Sequence, residues 1–190
     1  MMKHGHSDGG LWMPAEADPT FNGRWFPAKG KMAPPRSLNN LMKIYYESVG
    51  RNANLLLNCS PGRDGLVAES HMKRYEEFGC EIRRRFDNPA AETQGMGDTV
   101  ELALKKPAAI DHVILMEDIA HGERVREYVV EGLVRGNKWE KLCDGISIGH
   151  KRIQGFKPIE VARVRFRATK AAATPILRRL AVFSTGGGES

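Results

Sequence analysis

The chain has 190 residues, 41% of them hydrophobic and 27% charged, and its 29 Lys and Arg against 23 Asp and Glu give a formal net charge of +6. This composition is typical of a folded protein with one or two apolar cores and excludes a disordered or collagen-like chain. Every apolar run is far shorter than the roughly 18 residues that a membrane helix needs, so no membrane span is predicted. The charge is spread evenly along the chain, which argues against a nucleic-acid binder.

The three cysteines of the chain, and the two histidines near its start, predict no metal site. Cys59, Cys80 and Cys143 are scattered and form no CxxC pair, so neither a disulfide framework nor a zinc knuckle is expected. His4 and His6 have no third ligand nearby, and we interpret them as loop residues. The first ten residues lack the apolar segment of a secretory signal, and the cellular location stays open.

The first half of the chain follows helical and buried-strand patterns. Apolar residues recur at helical spacing over 37–50, behind Ser37 as a candidate N-cap, which predicts an amphipathic helix. The short apolar run at 53–58 predicts a strand buried on both faces. A second helix is predicted over 69–86, with an apolar stripe formed by Met72, Tyr75, Gly79, Ile82 and Phe86. This order of elements indicates an α/β fold.

Beyond about residue 90 the spacing of apolar residues changes from helical to alternating. In the clearest case Arg163, Arg165 and Arg167 share one face of a strand, while Val164 and Phe166 take the other. Similar short runs, separated by Gly or Pro, stand at 100–104, 113–116, 128–130, 146–148 and 180–183. The pattern predicts an antiparallel β-sandwich of the jelly-roll, galactose-binding-like type.

The change of pattern predicts a division of the chain into an α/β unit and an all-β unit. We place the α/β unit at 1–88, the sandwich at 89–184 and a disordered tail at 185–190. Because the sandwich has an alternating pattern of its own, we expect it to fold without the first unit.

One part of the sequence has the density of a functional site. Glu16 and Asp18 are two apart on an extended segment, so their carboxylates project from the same face, and Trp12 and Trp25 stand close by. Rings beside carboxylates suit a sugar, because a pyranose presents apolar C–H faces to rings and hydroxyls to carboxylates. The alternative is that the tryptophans are core residues and the acids belong to a solvated loop.

Motifs in a fixed order carry a family resemblance. W-x-P-A-E-x-D stands at 12–18, W-F at 25–26, and Y-Y-x-S-V-G-R-N-A-N-L-L-L-N at 45–58. Together they resemble the C-terminal part of the α-L-fucosidases of glycoside hydrolase family 29. The segments 116–125 and 148–153 are similar to that family's C-terminal β-sandwich.

The resemblance implies a retaining enzyme that releases terminal α-L-fucose from fucosylated oligosaccharides or glycoconjugates and needs no cofactor. Glu16 falls on the family's acid/base residue. For Arg51, Asn52 and Asn58, which flank the predicted last barrel strand, capping and turn bonding are equally good interpretations. The expected substrate-binding residues are Trp12, Asp18, Trp25, Arg51 and Asn58.

The same resemblance implies that the chain holds only part of the active site. The family's fold is a (β/α)8 barrel of about 250 residues, so residues 1–88 are expected to be its C-terminal fragment. The family's nucleophilic Asp lies on an earlier strand, before the first residue of this chain. The expected partner is the missing N-terminal barrel half or a second copy of the chain.

A second interpretation belongs to a different functional class. The chain is then a non-catalytic carbohydrate-binding or structural module, in which the sandwich carries the function and the barrel remnant is vestigial. The retained Glu16 favours the enzyme, whereas the missing nucleophile favours the module.

Overall fold

The computed structural model describes residues 10–11, 13–26 and 32–186. The helices are α1 (Leu38–Glu47) and α2 (Glu69–Phe86), with a short 3-10 turn at Ile119–His121. The strands are β1 (Glu16–Ala17), β2 (Asn54–Leu55), β3 (Ala91–Met96), β4 (Thr99–Glu117), β5 (Val125–Val134), β6 (Lys138–Gly145), β7 (Arg152–Ala171) and β8 (Ile176–Phe183). In this part of the chain neither helix is long and apolar enough to cross a membrane.

The two helices begin where the sequence predicts them. The Ser37 side chain accepts a hydrogen bond from the backbone N–H of Asn40, as expected of an N-cap. The bounds of α2 agree with the predicted 69–86. Its expected stripe is partly wrong, because Met72 is 50% exposed while Phe78 is buried. The helix is rotated relative to that prediction, so that its buried face meets both α1 and the sheet.

The predicted buried strand at 53–58 is wrong in its extent and burial. Only β2 is extended there, and it pairs in parallel with β1, so that Glu16 stands opposite Asn54 and Ala17 opposite Leu55. An isolated parallel bridge joins Thr20 to Asn58. In the described part of the chain, β2 has a neighbouring strand on one side only, which is β1. The side chains of Asn54 and Leu56 are therefore exposed.

The remaining six strands form one antiparallel sheet in the order β3-β8-β4-β7-β5-β6. The long strands β4 and β7 run through the whole sheet, and their pairing is interrupted between Ala103 and Ala108. The register shifts there, and one apolar core contains side chains from both sides of the shift. Leu102 and Val164 contribute from one end, and Val113 and Leu180 from the other. The antiparallel sandwich is therefore confirmed.

Some strands differ from those predicted. β3 and β6 were not expected, and the run Ile146–Ile148 is not a strand: Ile146 is exposed and Ile148 is a buried loop residue. The alternation in β7 is confirmed, because Val164 and Phe166 are fully buried while the three arginines that alternate with them are exposed or half-buried.

The helices cover the outer face of one end of the sheet. Along β4, Val113 faces the inner core, whereas Ile114 belongs to a second cluster with α1 and α2. Ala181 and Phe183 of β8 and Ile153 of β7 also join that cluster. Without the first unit, these side chains of the sheet would be exposed to water. The shared core therefore argues against the expectation that the sandwich folds alone. The boundary between domains stays a prediction.

A buried hydrogen-bonded chain ties the helices to the sheet. Arg85 Nη1 lies 3.0 Å from Tyr46 Oη, which lies 3.1 Å from His112 Nε2, and His112 Nδ1 lies 2.8 Å from Asp111 Oδ1. Since Arg85 can only donate, the Tyr46 hydroxyl gives its own proton to Nε2, and Nδ1 donates to Asp111. Thr185 donates to Asp111 through its N–H and hydroxyl and is buried, so the tail does not begin at 185 as expected.

Burial of His112 predicts acid sensitivity. Burial lowers the pKa of His112 below its ordinary 6.5, even though Asp111 acts in the opposite direction. Below pH 6.5 the unfolded chain therefore binds a proton that the folded chain does not. We expect the free energy of unfolding to be independent of this group above about pH 6.5. Between pH 6.5 and the pKa of His112 in the folded chain, it should fall by up to about 1.4 kcal/mol per pH unit.

Urea denaturation at several pH values between about 7.5 and about 5.5 gives the free energy of unfolding, and hence its slope against pH. The His112→Gln variant should lose most of it. Equal slopes in the two proteins would show that another group is responsible.

Candidate functional site

Glu16 lies on β1 with a side-chain partner from the neighbouring strand. Asn54 Nδ2 donates to Glu16 Oε2 at 3.0 Å, across the register that sets the two residues opposite each other. Glu16 is exposed, and among the described residues no hydrogen-bond donor occupies its Oε1. The arrangement fixes one carboxylate oxygen and presents the other, as a group that exchanges a proton with a bound molecule requires.

The other residues expected at the N-terminal site are only partly brought together. Asp18 follows β1 and is exposed like Glu16. Trp25 is 48% exposed, and the carbonyl of Arg24 before it accepts a hydrogen bond from Ser60 Oγ at 3.1 Å. Ser60 therefore ties the loop after β1 to the loop after β2. Trp12 lies outside the described residues, as do His4 and His6.

Asn58 and Arg51 take backbone positions at opposite ends of β2. The backbone of Asn58 bonds with Pro19 and Phe21, at 3.0 and 2.7 Å, which extends the pairing beyond β2 towards Asp18. Arg51 forms an isolated antiparallel bridge with Arg152 at the start of β7. The structure thus places Asn58 on the Asp18 side of β2 and Arg51 at the sandwich.

Asn52 joins the segment before β2 to the sandwich through hydrogen bonds, which we call the Asn52 clamp. Its φ of 66° is in the left-handed region, which Asn tolerates better than most residues. Its side chain accepts from the N–H of His150 at 2.6 Å and donates to Glu123 Oε1 at 3.0 Å. Its own N–H donates to Lys151 O at 3.0 Å. Asn54, two residues on, is therefore held in place by contacts with the sandwich.

Glu117 organises the two sandwich loops that Asn52 contacts. Its buried carboxylate accepts from the N–H groups of Arg124 and Val125 through Oε1, at 2.8 and 3.0 Å, and from that of Gly149 through Oε2 at 3.0 Å. Three backbone donors on one carboxylate satisfy a charge that would be costly to bury alone.

Gly149 provides a test of this clamp. Its φ is +64°, and a Cβ there would overlap the Asn52 side chain, which is pinned by two hydrogen bonds. We expect Gly149→Ala to lower the free energy of unfolding by about 2–4 kcal/mol in thermal or urea denaturation.

Gly65→Ala is the matched control, because Gly65 also has a positive φ, of 77°, but has open space around its Cβ position. It should cost only the backbone strain, about 1 kcal/mol. Equal losses for the two variants would mean that the Asn52 clamp contributes nothing to stability.

The chain is similar to known proteins in sequence and in fold. No family model matches the chain. A structure of a candidate α-L-fucosidase from Bacteroides thetaiotaomicron has a TM-score of 0.89 and 36% identity, over 95% of this chain and 43% of that chain. A variant of a GH29 fucosidase from Ruminococcus gnavus, solved in complex with fucose, has a TM-score of 0.85 and 25% identity, over 95% and 43%. A candidate α-L-fucosidase 1 of Oryza sativa subsp. japonica is 28% identical over 209 residues, 91% of this chain and 40% of its own length.

This chain is related to the C-terminal portion of the family 29 α-L-fucosidases. The resemblance noted in the sequence is thereby confirmed, and the antiparallel sheet matches the fucosidase C-terminal β-sandwich. The chain spans about two-fifths of the length of these relatives, at 40% and 43%.

The sequence does not predict two side-chain contacts near Glu16 and at the sandwich, those of Asn54 and Asn52. The sequence places Asn54 only within a strand motif, and its hydrogen bond to Glu16 follows from the parallel register of β1 and β2. For Asn52 the sequence leaves turn bonding and a role at the site equally open, and it does not predict the contacts with Glu123 and His150. Both roles depend on strand register and on loops far away in the chain, which local patterns do not specify.

Proposed function

We propose that this chain supplies the acid/base part of a retaining α-L-fucosidase active site, with Glu16 as the acid/base residue. The observation that carries the proposal is the Glu16–Asn54 hydrogen bond on a parallel strand pair, which holds one carboxylate oxygen and leaves the other exposed. The family relationship supplies the reaction class.

The strand pair also supports the proposal that residues 1–88 belong to a (β/α)8 barrel. β1 and β2 are parallel and are connected through α1, the βαβ unit from which such barrels are built. Large apolar side chains around the pair are 51% to 81% exposed, which suits a surface that further strands and helices cover. They are Leu11, Met13, Phe26, Leu56 and Leu66.

The proposed reaction uses two carboxyl groups about 5–5.5 Å apart. An aspartate from the N-terminal part of the barrel attacks the fucose anomeric carbon, and Glu16 protonates the departing glycosidic oxygen. Glu16 then removes a proton from water, which attacks the fucosyl-enzyme ester and restores the aspartate. Both steps need only carboxyl groups and water, so no cofactor or metal enters the proposal.

The remaining residues take positioning roles in the same proposal. Asp18, exposed beside Glu16, would accept hydrogen bonds from sugar hydroxyls. Trp25 and Trp12 would offer ring faces to the sugar. Asn58 would contact the substrate from the loop after β2. Arg51, which forms a bridge with Arg152, would do so from the other end of that strand. The substrate class is a fucosylated oligosaccharide or glycoconjugate.

Complementation tests the proposal. The chain alone should not hydrolyse an aryl α-L-fucoside, because one carboxyl group cannot perform both displacement steps. Co-expression with the N-terminal portion of a family relative should give a complex that does, which we call the complemented enzyme. Turnover by the chain alone would contradict the division of the active site.

Size-exclusion chromatography with light scattering separates the alternatives. Binding of the N-terminal portion without turnover would favour the non-catalytic module, particularly if the chain still bound a fucosylated glycan. A dimer of the chain that excludes the N-terminal portion would show that the exposed apolar side chains serve a homo-oligomer.

A further inference from the structure

A cluster of basic side chains lies on the sandwich, apart from Glu16. It consists of His150, Lys151, Arg178 and Arg179, and we call it the basic cluster. A β-bulge brings two of them together: Met116 of β4 pairs with Arg179, and Glu117 pairs with Leu177, so that Arg178 is an extra residue.

The bulge turns two consecutive arginines to the same side of the sheet. Leu177 and Leu180 both point into the inner core, whereas Arg178 is exposed and Arg179 is half-buried. A regular strand would have sent one of the two arginines towards the core, because side chains alternate. Bulges that redirect side chains in this way are frequent next to binding sites.

Lys151 is held in a defined position beside these arginines. Its ammonium donates to Tyr45 Oη at 3.2 Å and lies 5.7 Å from the centre of the Tyr45 ring. Partial burial, followed by the charges of Arg179 and Arg178, lowers the pKa of Lys151 below its ordinary value. The charges are thus close enough to repel one another.

Arg178 closes the cluster on the side of His150. Its Nη2 atom contacts the carbonyl oxygen of His150 at 3.3 Å and the ring Nδ1 at 3.2 Å. Burial, then Arg178 and Lys151, lower the pKa of the His150 imidazole. His150 therefore meets Arg178 as a neutral acceptor at pH 7, and the positive charge of the cluster comes from the other three residues.

The nearby carboxylates compensate only one of these three charges, that of Arg179. Glu92 pairs with Arg179 at 2.8 Å, Glu117 is bound by three backbone N–H groups, and Glu123 accepts from Asn52. In the described part of the chain, neither Lys151 nor Arg178 has an ion pair with a carboxylate.

We propose that the basic cluster binds an oxyanion: a sulfate, phosphate or carboxylate group that bridges Lys151 and Arg178. Arginine and lysine together suit such a group, because the guanidinium offers several directed donors and the ammonium a compact charge. The proposal does not rest on the role proposed for Glu16 in the fucosidase reaction.

Titration of the full 190-residue chain with sodium sulfate, followed by NMR of ¹⁵N-labelled amides, tests the proposal. Sodium chloride keeps the ionic strength constant, since mobile ions screen exposed charges. We expect saturable shifts at His150 and Lys151, with a dissociation constant on the order of 1 mM. Shifts that rise linearly with sulfate, or no shifts at all, would overturn the site.

Two substitutions make the test specific. Arg178 is exposed, so Arg178→Gln should fold and should weaken sulfate binding about tenfold, whereas Arg178→Lys should keep part of the affinity. Arg163→Gln is the matched control, because Arg163 is also an exposed strand arginine, with only a 3.7 Å contact to Glu101. Equal weakening by Arg178→Gln and Arg163→Gln would mean general charge screening and would contradict a defined site.

A second arm identifies the source of the oxyanion once binding is observed. Galactose 6-sulfate is compared with inorganic sulfate and with galactose. Binding of the sulfated sugar about tenfold tighter than sulfate, with none of galactose, supports a site that reads a charged glycan. Equal binding of the sulfated sugar and sulfate supports a site for the free ion.

Discussion

Glu16→Gln should lower turnover of a fucosyl disaccharide by the complemented enzyme about 10²–10⁴-fold. A disaccharide leaves as a poorly stabilised alkoxide and needs the proton that Gln cannot give. An aryl fucoside with a nitrophenol leaving group departs without that proton, so its first step should change far less. Steady-state kinetics with both substrates measures the difference.

Glu47→Gln is the control, since Glu47 is an exposed glutamate on α1. It should leave turnover of both substrates unchanged. Asn54→Ala, which frees the Glu16 carboxylate, should act in the same direction as Glu16→Gln but more weakly, because the acid remains present. Equal losses with both leaving groups in Glu16→Gln would show that Glu16 binds sugar and does not transfer a proton.

Phe183→Ala should destabilise the helices and the sheet together, by about 3–5 kcal/mol. Phe183 is fully buried at the end of β8, and its ring meets Phe86 of α2 edge to face at 5.4 Å between centroids. Removing it leaves a cavity in the core that α1 and α2 share with the sheet. Urea denaturation, combined with amide hydrogen exchange in α2 and β5, measures the loss.

Amides of α2 and β5 should lose protection by the same amount, since the unfolding of one layer uncovers the other. Met96→Ala serves as a comparison, because Met96 is 67% exposed on β3 and its removal should change stability little. Loss of protection confined to α2 would show that the sandwich is stable alone, in agreement with the division at residue 88.

The sequence predicted best the elements whose signals are local. The bounds of α2 and the Ser37 cap follow from helical spacing and from hydrogen bonds a few residues away. The alternation in β7 likewise needs only neighbouring residues. β6 was missed because none of its residues is fully buried, so its polar positions hide the alternation.

Features that depend on distant partners were not predictable in this way. Leu56 is as apolar as its neighbours in the sequence, but its exposure depends on which strands lie beside β2. Arg85 belongs to a basic run typical of a solvated helix end, yet it is buried against Tyr46 and Glu81. The place of Asn54 beside Glu16 requires a register between strands 38 residues apart. The role of Glu16 itself stays a prediction.

The bridge between Arg51 and Arg152 limits how the molecule can move. The neighbouring hydrogen bonds from Ile153 N to Gly50 O and from Asn52 N to Lys151 O continue that bridge. The segment that leads into β2 is therefore hydrogen-bonded to the start of β7. A hinge at this junction would break all of these bonds and uncover the shared apolar core at once. Rotation of the sandwich about this junction therefore requires the loss of several hydrogen bonds and of buried apolar contacts together.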